Sequence, residues 1–183
     1  MIRPNSIEKI LLDEQTIARR VDELAAQISA DYADADHLML VGVLKGSFIF
    51  MADLARRLRV AHHVDFIALS SYNRGTVSTG AVRLIMDTRA SLTDRHVLVI
   101  EDIVDTGYTL KYLLQTFSAR NPASLRACAL LSKPERREVD VKVDYVGFEI
   151  PDVWVVGYGL DYNDRFRTLP YIGALKREVY TKQ

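Results

Sequence analysis

Three short, nearly continuous apolar runs restrict this chain to few folds: HLMLVGV at 37–43, HVLVI at 96–100 and LRACALL at 125–131. Strands that face water on one side alternate polar with apolar, whereas strands covered on both faces read as unbroken apolar stretches. Helical segments stand between the runs. Asp13 is placed to cap a helix whose Ile17, Val21, Leu24, Ala25 and Ile28 fall at helical spacing. FIFMADLARRL (48–58) and the stretch near 107–119 read as further helices. VDFIALS (64–70), AVRLIMD (81–87) and segments near 144–149 and 153–157 read as strands. Strands alternating with helices predict an α/β fold with a parallel sheet flanked by helices, because parallel strands need crossover connections. The tail LPYIGALKREVY shows no clear period, and either lies across the sheet or forms a subunit contact.

At 183 residues the chain is long enough for one well-cored domain and short for two, so 1–183 is read as a single domain. Lys plus Arg number 24, equal to Asp plus Glu, which argues against a nucleic-acid-binding surface. The N-terminal MIRPNSIEKI lacks the apolar centre of a signal peptide, and no run approaches the ~18–20 apolar residues of a membrane span. The one cysteine, Cys128, lies in an apolar run and reads as a buried structural thiol. Together these predict a cytoplasmic protein that keeps away from membranes. His37, His62, His63 and His96 have no metal-ligand spacing. Neither GxxxxGK[ST] nor a complete GxGxxG occurs, which disfavours a P-loop kinase or a dinucleotide oxidoreductase. Arg56, Arg57 and Arg59 read as a solvated helix end.

Ligands of open α/β sheets bind at the carboxyl ends of the strands. Lys45, the stretch from Glu101 to Thr109, and Lys133 all follow strands, so three segments converge on one rim. Within VLVIEDIVDTGYTL (97–110), a Gly-containing turn opens a helix, a place suited to an anion such as phosphate. Yet Glu101, Asp102 and Asp105 crowd beside it. A strand end emerging into water would account for Glu101 and Asp102. A ligand carrying both vicinal hydroxyls and a phosphate accounts for acids and turn together. Carboxylates accept hydrogen bonds from ribose hydroxyls and help hold Mg²⁺, while backbone N–H groups from about Asp105 to Thr109 cup the phosphate.

VLVIEDIVDTGYTL resembles the ribose-phosphate signature of the type I phosphoribosyltransferases. With LKGS (44–47), SSYNRG (70–75), LLSKPERR (130–137) and VWVVGYGLDYNDRFR (153–167), the chain resembles the hypoxanthine-guanine phosphoribosyltransferases over about residues 7–175. The first motif marks only the superfamily, and the ordered set marks the family. The resemblance implies the type I phosphoribosyltransferase fold, a parallel sheet with a small hood built from terminal segments. It implies transfer of 5-phosphoribosyl from phosphoribosyl pyrophosphate to N9 of hypoxanthine or guanine, giving IMP or GMP and pyrophosphate, with Mg²⁺, in purine salvage. It also implies a homodimer or homotetramer.

By the same resemblance, Glu101 and Asp102 address the ribose hydroxyls, directly or through the metal. Asp105 faces N7 of the purine as general base, and Asp105, Thr106, Gly107, Tyr108 and Thr109 hold the 5′-phosphate. Tyr108 stands where Lys or Asn is common, but backbone groups do most of the cradling. Lys45, Gly46 and Arg167 meet the pyrophosphate, and the family can carry a non-proline cis peptide just before the lysine. Lys133 donates to the purine O6, Trp154 stacks on the base, and Val155 reads its edge. Asp161 completes the base pocket and holds a second metal or its waters. Ser71 and Tyr72 belong to a lid formed by SYNRGTVSTG (71–80). Taken singly, Lys45 and Lys133 are commonplace surface lysines, Trp154 is a core aromatic, and the lid is a hairpin tip. A nucleotide-sensing regulator on the same fold is the rival reading, and it should carry a basic face. A transferase for xanthine, adenine or uracil is another, though Lys133 and the Trp154 segment favour 6-oxopurines.

Overall fold

The computed structural model describes residues 6–71 and 82–181. Its elements run β1 (Ile7–Leu12), α1 (Glu14–Asp31), β2 (Leu38–Leu44), α2 (Phe48–Ala55), β3 (His62–Ser71), β4 (Val82–Met86), β5 (His96–Val104), α3 (Tyr108–Ser118), β6 (Ser124–Ser132), β7 (Tyr145–Glu149), β8 (Val155–Val156), β9 (Ile172–Leu175) and α4 (Arg177–Tyr180). The main sheet has six strands in the order β4-β3-β2-β5-β6-β7. All neighbours are parallel except β4, which runs antiparallel to β3.

The continuous apolar runs arise because successive strand residues point to opposite faces and both faces are covered. Leu38 and Leu40 of β2, Leu98 and Ile100 of β5, and Cys128 and Leu130 of β6 pack with α1 and α2 through Ile17, Leu24, Phe50 and Leu54. The intervening Met39, Val41, Val97, Val99, Ala127 and Ala129 pack with α3 through Leu110, Leu113 and Phe117. Asp13 caps α1 as its sequence suggests, its carboxylate accepting the Thr16 N–H at 2.7 Å. Beyond the end of α2 at Ala55, Arg56 pairs with Asp53, and Arg57 donates to Asp22 at 2.6 Å. Arg57 is largely covered, while Arg56 and Arg59 stay exposed, so the solvated reading holds for those two.

A second, three-stranded sheet, β1-β9-β8, joins the terminal segments in antiparallel register, with Ile7 opposite Leu175 and Val155 opposite Ala174. The tail therefore joins this second sheet and does not lie across the main one. All four residues of β9 are buried, and so short an element has no room to display a period. This sheet is the hood, with Val155 in β8 and Trp154 immediately before it. No helix among the described residues is long and apolar enough to cross a membrane.

Candidate active site

The rim lies where β2, β5 and β6 end. β5 runs four residues past the apolar core of its motif, pairing Glu101 with Ala129 and Val104 with Ser132 of β6. Glu101 and Asp102 consequently sit inside the strand, Glu101 buried and Asp102 half-buried. Glu101 is 5% exposed, and no described residue donates a hydrogen bond to it. Burial, and then the neighbouring charge of Asp102, push its carboxyl well above the usual range. Burial likewise raises Asp102 to about 6, opposed by the Ile103 N–H at 2.9 Å and by the charge of Arg167, and assisted by Asp161. Glu101, held like this, has no described cation or donor, whereas Asp102 keeps the Ile103 N–H and the field of Arg167.

The turn between β2 and α2 presses on this pair. The Leu44–Lys45 peptide is cis, and a Cβ on Gly46 would lie 1.6 Å from Asp102 Oδ2. From the other side, a Cβ on Gly159, whose φ is +105°, would lie 2.0 Å from the Gly46 carbonyl oxygen. Two glycines thus permit three chain segments to meet without side chains between them.

Beyond β5, Gly107 takes φ 93° and opens α3 with no side-chain cap. The first N–H groups of a helix have no intrahelical partners, so those at the start of α3 are available to an anion. The Thr106 carbonyl accepts the Glu138 N–H at 3.0 Å, tying this turn to the segment after β6. Tyr108 and Thr109 are exposed at the turn's outer edge. Asp105 accepts from Arg136 Nε at 3.1 Å. Lys133, which follows β6, is only 7% exposed, and its Nζ lies 3.3 Å from Asp152 Oδ1. That burial removes it from the class of commonplace surface lysines.

Trp154 is 47% exposed and is no core aromatic. Tyr180 of α4 stacks on one ring face with centroids 5.5 Å apart, and Tyr162 meets it edge-on. Val155 is buried in β8. Arg167 donates to the Gly159 carbonyl at 2.8 Å and pairs with Asp161 at 2.7 Å. Lys45 Nζ reaches Asp164 at 3.0 Å. Ser71 ends β3, while Tyr72 and the remainder of the expected lid lie outside the described residues. The rim thus gathers Lys45, Gly46, Glu101, Asp102, Asp161 and Arg167, with Asp105 and Lys133 on its α3 and β6 side. Sequence reasoning passed over Arg136, Asp152, Gly159, Asp164 and Tyr180. Of these, only the Gly between two tyrosine-bearing turns offered a local signal, as a place of close backbone approach.

Among the described residues no three His, Cys, Asp or Glu side chains form a ready-made metal cage. That suits Mg²⁺, which takes one or two carboxylates and completes its shell with water and phosphate oxygens. The donor set here is hard oxygen, and the adjacent carboxyls of Glu101 and Asp102, the first buried without a described partner, match such an ion or a diol.

Buried acids beside an open anion turn at the rim of a parallel sheet are the mark of phosphoribosyl transferases, and residues 8–163 match the model of the phosphoribosyl transferase domain. Within that class, the chain belongs to the hypoxanthine-guanine phosphoribosyltransferase family. It is 48% identical to the hypoxanthine-guanine phosphoribosyltransferase of Bacillus subtilis, over 96% of this chain and 97% of the relative. It is 47% identical to the enzyme of the same name from Dictyostelium discoideum, over 95% and 98% of the two chains. A crystal structure of a hypoxanthine phosphoribosyltransferase from Staphylococcus aureus superposes with a TM-score of 0.92 at 47% identity, covering 97% of this chain and 96% of that one.

Proposed function

We propose that this chain, acting as one domain over residues 1–183, transfers the 5-phosphoribosyl group of phosphoribosyl pyrophosphate to N9 of hypoxanthine or guanine. The products are IMP or GMP and pyrophosphate, a step of purine salvage. The observation that carries the reading is the acid pair at the end of β5, Glu101 buried and Asp102 half-buried against Gly46, followed by the open N-terminus of α3. Two adjacent carboxyls, one of them without a described partner, suit a diol and a divalent cation, and the helix start suits the 5′-phosphate.

In this reading Glu101 and Asp102 accept from the ribose 2′- and 3′-hydroxyls, and the backbone from Asp105 to Thr109 cups the phosphate. Lys45, Gly46 and Arg167 take the pyrophosphate, whose developing charge they stabilise as the C1′–oxygen bond breaks. N9 of the purine forms the new bond to C1′, and Asp105 accepts the proton leaving N7, a contribution of about 10²–10⁴-fold. Lys133 donates to O6. The exposed face of Trp154 receives the base, backed by Tyr180 on the other, and base–aromatic stacking is worth about 1–3 kcal/mol. Val155 reads the base edge through its backbone. Glu101, Asp102 and Asp161 would hold Mg²⁺, which when bound neutralises phosphate charge and orients the sugar. Ser71 and Tyr72 would close over the reacting atoms and exclude water.

Assembly as a homodimer or homotetramer and a cytoplasmic location belong to the same reading. Exposed Val64, Ile85 and Met86 on β3 and β4 support the former, and the buried free thiol of Cys128 supports the latter. A neutral chain favours catalysis over a nucleic-acid-binding regulator. Turnover with a panel of bases, with and without Mg²⁺, tests the proposal. Metal-dependent conversion of hypoxanthine and guanine, with adenine and uracil inert, is expected. Turnover of adenine or uracil instead, or of no base, would overturn it.

A further inference from the structure

Asp164 has no part in the reaction described above, yet it occupies the most contested position on the rim. Its Oδ1 accepts from Lys45 Nζ at 3.0 Å and from Arg167 Nη2 at 2.9 Å. These are the two cations assigned to the pyrophosphate, and they come from segments more than a hundred residues apart in the chain. A single carboxylate oxygen shared by an ammonium and a guanidinium reproduces what a phosphate oxygen would receive there. The backbone aims it: Asn163 and Asp164 both adopt positive φ, 52° and 56°, and the Asp164 N–H donates to Asp161 Oδ2 at 2.8 Å. The bonds from Arg167 and then Lys45 hold the Asp164 carboxyl below its ordinary range, so it is ionised at neutral pH. Its side chain is nevertheless 67% exposed, and exposed ion pairs are weak and easily exchanged.

We propose that Asp164 is a built-in stand-in for the pyrophosphate: it gathers Lys45 and Arg167 while the site is empty, yields to the incoming anion, and returns to help expel the product. The inference rests on the assignment of Lys45 and Arg167 to the pyrophosphate. Because the substrate must displace an internal competitor, its apparent affinity is lowered by the fraction of molecules in which the cations are free. Removing Asp164's charge frees the cations and also relieves repulsion of the polyanion, and both effects raise the affinity.

The test is calorimetric titration of inorganic pyrophosphate with Mg²⁺ into the wild-type protein, Asp164→Asn, Asp164→Glu, Lys45→Ala and Arg167→Ala, with steady-state kinetics alongside. Asparagine tolerates positive φ, so Asp164→Asn keeps the turn. Asp164→Asn is expected to bind pyrophosphate about 3–30-fold more tightly and to lower the KM for phosphoribosyl pyrophosphate in proportion, the range that two exposed ion pairs allow. The KM for hypoxanthine should stay unchanged, and Asp164→Glu should resemble wild type. Unchanged or weaker binding by Asp164→Asn, with Lys45→Ala and Arg167→Ala both weakened, would overturn the stand-in role and leave the pyrophosphate assignment intact. Should Lys45→Ala and Arg167→Ala also bind as wild type does, the assignment itself falls, and the inference with it.

Discussion

Replacing Asp102 by asparagine should make the ligand-free protein more stable at neutral pH while removing its activity. The carboxyl is raised from 3.8 to about 6. Below pH 3.8 it is protonated in both folded and unfolded chains, and contributes nothing to the difference between them. Between 3.8 and 6 the unfolded chain ionises first and binds fewer protons, so stability falls as pH rises. Above 6 the deficit is constant. One pH unit corresponds to about 1.36 kcal/mol, so the ionised group costs the fold about 3 kcal/mol at most. One edge of Asp102 stays open to water, which makes this a ceiling. The asparagine side chain has nearly the same shape, can still accept the Ile103 N–H, and carries no charge to desolvate. In a chain of this length about 3 kcal/mol corresponds to a rise in Tm of roughly 6–12 °C. The assay is thermal unfolding in chelator from about pH 4 to pH 8. The gap between variant and wild type should open up to about pH 6 and then level off. Adding Mg²⁺ and phosphoribosyl pyrophosphate should reverse the order, because only wild type gains stability from binding. A variant that melts below wild type at about pH 7.5, or a gap as wide at pH 4 as there, would refute the reasoning.

Asp105→Asn should lower kcat by about 10²–10⁴-fold with affinity for phosphoribosyl pyrophosphate kept, as single-turnover and binding measurements would read; unchanged turnover removes Asp105 from proton transfer. Lys133→Gln should raise the KM for hypoxanthine and guanine by about 10–100-fold, since a charge-assisted hydrogen bond to O6 is lost; equal weakening of adenine binding would contradict the O6 assignment. Gly159→Ala places a Cβ 2.0 Å from the Gly46 carbonyl at φ +105°. It should cost about 2–4 kcal/mol in urea unfolding and raise the KM for phosphoribosyl pyrophosphate, and wild-type values for both would show that the two turns move independently.

How much of the fold can be read from the chain depends on how far each pattern extends. β2, β5 and β6 announce themselves because both faces are covered, and α1 because five buried residues follow a capping aspartate. β1 and β9 do not. Their pairing joins the two ends of the chain, and neither strand is long enough to show an alternation. The end of β5 misleads for a different reason. Acidic residues after an apolar run imply exposure by local rules, and only pairing with β6 keeps Glu101 inside the strand.

The site divides along the same line. Glu101 to Thr109 is legible because the residues proposed for the sugar and the phosphate fall within one short stretch of the chain. The contact of Gly46 with Gly159, the Lys45–Asp164 pair and the Arg136–Asp105 pair depend on segments distant in the chain, so no local motif encodes them. They also resolve the apparent conflict of three acids beside an anion turn. Asp105 has Arg136 as its partner, and Asp102 lies against the Gly46 turn within the field of Arg167. Glu101, shielded from water, has no described partner and is the residue the proposed function gives to the ligand. Asp105 and Asp102 therefore face separate positive groups, burial disfavours the charged form of Glu101, and the three charges do not sum at the start of α3, where the proposed function places the phosphate.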